Sequence, residues 1–270
     1  MSWLSLNLRA VYGRAYPRVI GVMREISWIL FDIFLPLLGI AAFIFYYRAM
    51  GAPEVFTGFV IIGGAMTAFW MNVLWSMAAQ FYWEKETGNM SLFLIAPMSR
   101  MAVLAGMALG GMFLTTIRAL STIVLGFIIF GVSVQAFPVL DLLLIFGLTM
   151  VALYGMGMML SSVYLMYGRG AYNVSALAQE PIYLVSGFYF PVRQLGLLLA
   201  GLASIIPITL GLDGIRQVLF GDQGMGFLPV GTEMLILAGL GIVFLVGAKL
   251  SLDYMEYLGR REGRLTLRWQ

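Results

Sequence analysis

At 270 residues, 61% hydrophobic and only 11% charged, the chain has too few charges to coat a soluble fold, where about a quarter of residues are charged. The net charge of +3 is small, and there is no histidine and no cysteine. That excludes thiol chemistry, disulfides, imidazole acid–base catalysis and the usual zinc ligands. No basic, aromatic-studded patch suited to nucleic acid is present.

The apolar residues fall in long runs, each near the roughly 20 residues that a helix needs to cross hydrocarbon. They are apolar on all sides, unlike the alternating strands of a β-barrel. An all-α, multi-pass membrane protein is therefore expected, with the whole chain, 1–270, as one transmembrane domain.

In chain order, residues 1–26 interleave Arg9, Arg14, Arg18 and Arg24 with Trp3, Leu4, Leu8, Val11, Tyr12 and Val19. No apolar stretch of a cleavable signal occurs there. The pattern predicts an amphipathic helix on the membrane surface, bent at Pro17. Six spans are expected, at about Trp28–Tyr47, Phe56–Phe81, Met101–Gly131, Pro138–Met166, Tyr172–Phe190 and Val230–Leu250. The apolar stretch 191–220 is broken by Gly201, Pro207, Gly211 and Gly214. It reads as short helices that dip into the outer half of the bilayer and return. Residues 251–270 form a tail.

Lysine and arginine placement orients these spans. Twelve lie on the side of both termini: the four N-terminal arginines, Lys85, Arg100, Arg169, Lys249, Arg260, Arg261, Arg264 and Arg268. The opposite side has Arg48, Arg193 and Arg216. Both termini are expected in the cytoplasm.

The charges inside spans need partners or water. Arg118 lies within the third span and Glu180 near the middle of the fifth. Glu180 faces a watery path or gate, or else pairs with Arg118. Asp32 is expected to pair with an N-terminal arginine. Asp141 and Glu233, near outer span ends, are expected to be solvated. Gly106 and Gly110 form a small-x3-small packing pattern.

The cytoplasmic loop 84–100 opens with Glu84-Lys85-Glu86, continues with Thr87-Gly88, passes through Leu92 and Leu94, and closes on Pro97 and Arg100. Its composition fits either a short amphipathic helix that docks into a partner or an ordinary charged loop. In that order of residues the loop resembles the coupling region of ABC-2 type transporter permeases, the membrane subunits of ATP-driven exporters. Ser186-Gly187-Phe188-Tyr189-Phe190-Pro191 resembles that family's fifth-span exit, and Ile206-Pro207 with Leu212-Asp213-Gly214-Ile215-Arg216 its outer re-entrant region. The likeness covers nearly the whole chain and is closest to the daunorubicin-resistance and nodulation-factor export branch. The sequence departs from the family at Arg193-Gln194-Leu195, where a Leu-Pro pair is common.

The resemblance implies a dimer of permeases above two ABC ATPase subunits, in a bacterial or archaeal cytoplasmic membrane. Glu84, Lys85, Glu86, Thr87, Gly88, Leu92, Leu94, Pro97 and Arg100 would couple to the ATPases. Phe69, Trp70, Asn72 and Trp75 of the second span, with Tyr183, Ser186 and Tyr189 of the fifth, would line the substrate path; packing or lipid-facing roles fit the same residues. No Gly-x4-Gly-Lys-Ser/Thr loop occurs, so ATP and magnesium are expected on the partner chain and no cofactor on this one. The expected substrate is an amphipathic drug, a lipid, or a lipid-linked oligosaccharide or polysaccharide. A secondary transporter with Glu180 as proton carrier is the rival reading. A membrane enzyme lacks the residues for its chemistry, and a scaffold leaves the loop unexplained.

Overall fold

A computed structural model describes residues 2–134 and 137–263, and every regular element among them is a helix. Arg264 and Arg268 of the basic tail, and the side chains of Trp28 and Arg169, lie outside the described residues.

Helix α1 runs Trp3–Met23 with Pro17 inside it, from an N-cap in which Ser2 accepts a hydrogen bond from the Ser5 N–H. Helix α2 covers Ile26–Ala49. The second crossing is composite: α3, Val55–Met71, passes into a π-helical stretch, Asn72–Ala78, and then into α4, Gln80–Glu86. A short α5, Met90–Ile95, leads to α6, Arg100–Phe130, which Gly131 ends in the left-handed region (φ 71°). Helix α7 is Val139–Tyr167 and α8 is Arg169–Val185. After a 3-10 turn come α9, Gly196–Ala203, and α10, Pro207–Phe220, with proline in its first turn. Helix α11, Val230–Arg261, closes the chain.

Five of these helical stretches are long and apolar enough to cross a membrane: Ile29–Ala49, Val55–Glu86, Arg100–Phe130, Val139–Tyr167 and Val230–Arg261. The fifth of the six expected crossings is not among them. Its segment, α8, has 17 residues, about 26 Å of helix against a hydrocarbon core of about 30 Å. It also carries Asn173, Gln179, Glu180 and Pro181. Region 191–220 is not one crossing but α9 and α10, apolar Leu197, Leu198 and Leu202 being exposed on α9 while α10 is buried.

Helix α3 is the hub. It is buried along nearly its whole length and touches α2, α6 and α10, whereas the other crossings bury a stripe each. Helices α7 and α11 pair along their length, and α1 lies along α6. One cluster, with Phe69, Trp70, Leu104, Leu153, Phe188, Leu212 and Phe244, joins α3, α6, α7, α10 and α11 into a single core.

Candidate coupling site and path

The second crossing runs into the loop as one helical stretch, Val55–Glu86. Thr87 and Gly88 end α4. The Thr87 hydroxyl donates to the Trp83 carbonyl at 3.0 Å and accepts from the Asn89 amide at 3.2 Å. Gly88 takes the left-handed conformation (φ 82°) that a side chain disfavours. The Thr-Gly pair is thus a helix stop that turns the chain into α5.

The loop's charges face inward. Glu84 is buried and accepts from Arg14 of α1, and from Gln80 at 2.6 Å. Lys85 is buried as well. Arg100 pairs with Glu256 on α11, which also holds Arg260. Glu86 and Leu94 are half-buried, Leu94 with Phe93 against the core. The exposed surface consists of Trp83, Thr87, Asn89, Ser91, Leu92, Ile95 and Pro97, with Leu92 at 62% and Ile95 at 77%. Ile95 escaped the sequence reading, although its spacing of three from Leu92 puts both on one side of a helix turn.

Helix α1 is fastened to both ends of this loop and to the π-helical stretch before it. Asn7 accepts from the Ser99 N–H at 2.8 Å, at the start of α6. Arg14 pairs with Glu84 and lies over the Phe93 ring, 5.2 Å from its centre. Arg18 donates to the Ser76 hydroxyl inside the π-helical stretch. Burial lowers both guanidinium pKa values from the ordinary one; arginine keeps its charge regardless. The Gly106/Gly110 pattern serves this contact rather than a meeting of two spans. A Cβ on Gly106 would come within 2.5 Å of the Val11 carbonyl oxygen, and one on Gly110 within 3.1 Å of the Ala15 carbonyl oxygen.

Among the expected path residues, Phe69, Trp70 and Ser186 are buried inside the chain, with Phe69 against Phe146 at 5.6 Å. Asn72 accepts from the Tyr154 hydroxyl at 3.0 Å. Trp75 donates to Gln179 of α8 at 2.7 Å, joining span two to α8. Tyr183 packs on Phe188 and Tyr189 stacks on Phe43, both half-buried at the C-terminal end of α8 and just beyond it.

The intramembrane charges differ from expectation. Arg118 pairs with Asp32 at 2.8 Å rather than with Glu180, and Asp32, expected beside an N-terminal arginine, has Arg118 as its partner instead. The two lie on helices that touch, α2 and α6, while Glu180 is exposed on α8 beside Gln179. Glu233 is not solvated but fully buried beside Gly214 of α10. Asp213, one residue earlier, accepts from the Phe227 N–H at 2.6 Å. Among the described residues, no group of three or more acidic, His or Cys side chains could hold a metal ion.

A multi-pass helical bundle with a helix-stop loop hanging from its central span is the anatomy of a transport permease. The ABC-2 type transporter family matches residues 19–220, most of the chain, and the protein belongs to that family. No curated protein matches it. Members of the family are transport permeases rather than catalysts and normally work with ABC ATPase partners.

Proposed function

We propose that this chain is the transmembrane subunit of an ATP-driven exporter, working as a dimer above two separate ABC ATPases. The observation that carries the reading is the loop. Glu84 and Arg100 are paired inside the chain, leaving Leu92, Ile95 and Pro97 exposed on and just after α5, the short helix that follows the end of the central span. An apolar tip on a rigid lever fits a groove on a moving partner. ATP and magnesium would bind that partner, and its closure would tilt span two through α4. Helix α8 would be the remaining crossing, short and polar because it borders the path rather than lipid. With α8 counted, both termini fall on the cytoplasmic side, where most lysines and arginines lie. The aromatic boundary between the second crossing and α8, where Trp75 packs on Tyr172, suits an amphipathic substrate: a drug, a lipid or a lipid-linked saccharide.

The test is co-purification with an ATPase from the native membrane in mild detergent. The native chain retains the ATPase, whereas Leu92→Glu combined with Ile95→Glu loses it while eluting as a folded protein. Transport by the chain alone in ATP-free vesicles under a proton gradient, abolished by Glu180→Gln, would instead establish the secondary-transporter reading.

A further inference from the structure

The second crossing contains the one π-helical stretch among the described residues, Asn72–Ala78. Such stretches are rare and gather at functional sites, because the i→i+5 pattern is less stable than the α pattern on either side. Something must hold it. Side chains from three other helices meet it. Arg18 of α1 donates to Ser76. Tyr154 of α7 donates to Asn72, and Trp75 donates to Gln179 of α8. Packing also makes room for it. A Cβ on Gly111 would sit 2.5 Å from the Asn72 amide oxygen and 3.3 Å from the Arg18 guanidinium, and one on Gly157 would sit 2.6 Å from a Val73 methyl.

Of these holders, Arg18 differs in two ways. It alone comes from α1, the helix that is also tied to the loop through Asn7 and Arg14. Its acceptors are neutral, the Ser76 hydroxyl and, at 3.8 Å, the Met107 sulfur, whereas Arg14 has a carboxylate. A guanidinium on neutral acceptors exchanges partners more readily than one in an ion pair. Movement of α1 with the loop would therefore loosen Arg18 from Ser76 while Arg14 stays with Glu84.

We propose that Arg18 is a positioning residue: through Ser76 it holds span two in its π register at Asn72–Ala78, and its release re-phases α4 and the loop relative to α3. Passing from a π bulge to the α register shifts everything beyond it by one residue, about 100° of rotation. A small displacement of α1 is thereby turned into a large rotation of the inner third of the span. The use of this device in transport rests on the permease reading; the register itself does not, and it is testable without any ATPase.

The chain contains no cysteine, so spin labels go only where they are placed. Two pairs are prepared in the full chain in lipid nanodiscs. An inner pair, Trp83→Cys with Leu109→Cys, spans the π stretch; an outer pair, Met71→Cys with Leu109→Cys, lies above it, and all three positions are exposed. With Arg18→Ala, the inner distance distribution shifts or splits while the outer one keeps its native position. Arg18→Lys returns the inner pair toward the native distance. Ser76→Ala removes only the acceptor and gives the same inner shift, so it decides the matter if Arg18→Ala does not fold. Native distances at both pairs in Arg18→Ala and Ser76→Ala overturn the proposal. Equal broadening of both pairs overturns it too, since Arg18 would then merely fasten α1. Failure of an ATPase to co-purify would sink the permease reading and leave these distances unaffected.

Discussion

At the scale of single residues, the tightest node is Arg216. It is fully buried and donates to four carbonyls: Gly187 at 2.7 Å, Phe188 at 2.7 Å, Phe190 at 3.2 Å and Phe59 at 2.8 Å. One planar fork therefore ties the chain leaving α8 to α3 and α10. Arg216→Met keeps most of the volume and orphans these acceptors, each worth about 1–3 kcal/mol when left unpaired. The melting temperature in detergent should fall steeply, and Arg216→Lys should recover only part, because an ammonium cannot match the fork. The Arg118–Asp32 pair makes a second, gentler case. Asp32→Asn should lower stability by about 1–2 kcal/mol, since the pair is partly exposed. Glu180→Gln should leave the melting temperature nearly unchanged, because the side chain is exposed and its hydrogen bond to the Gln179 amide is long, at 3.4 Å. That contrast separates the pair found here from the Arg118–Glu180 pair that depth along the chain had suggested. Depth is legible from sequence because hydropathy runs mark it. Which helices touch at that depth is not, so the sequence points Arg118 to Glu180 and Asp32 to an N-terminal arginine. The buried Glu233 escaped for the same reason: only the fold brings α10 over the start of α11.

Among elements, α1 and its seat on α6 carry the clearest prediction. Gly106→Val would drive methyls into the Val11 backbone and the Arg14 side chain, and backbone cannot yield as a flexible side chain does. Helix α1 should detach, exposing its linker to α2 to limited proteolysis around Arg24. Gly147→Ala on α7 meets nothing within 4 Å. It should be neutral or stabilising by up to about 1 kcal/mol, the helix preference of alanine over glycine. Long apolar runs made the starts of α6, α7 and α11 legible to within a residue or two. The sequence also marked α1 as amphipathic, but not that it has two clients. Leu4, Leu8, Tyr12 and Tyr16 point away from the bundle, while Asn7, Arg14 and Arg18 point into it. The loop was recognised by its charges, yet Glu84 and Arg100 among them are spent on α1 and α11. Opposite charges far apart in sequence attract each other as well as a partner, and composition alone does not say which.

For the molecule as a whole, α8 poses a problem that one copy does not solve. Asn173, Val174, Leu177, Glu180 and Leu184 are exposed and follow the three-to-four spacing of a single helix face. Turned to lipid, that face would put Glu180 in hydrocarbon at a cost of at least a few kcal/mol. With α8 as the proposed sixth crossing, the stripe would instead border water, a second copy, or both. In a two-fold dimer the same surface meets itself, so a residue near the axis lies close to its own counterpart. Leu177, at 78% the most exposed large hydrophobic residue among those described in α8, is the position to test. In the otherwise cysteine-free chain, Leu177→Cys should oxidise to a disulfide-linked dimer in native membranes. Leu120→Cys, exposed on the outside of α6, should remain monomeric under the same oxidant. Cross-linking through Leu120→Cys with none through Leu177→Cys would move the interface to α6 and leave the Glu180 face to water alone. Cross-linking through Leu177→Cys places Glu180 one helical turn from the dimer axis, lining the space that two permease copies enclose.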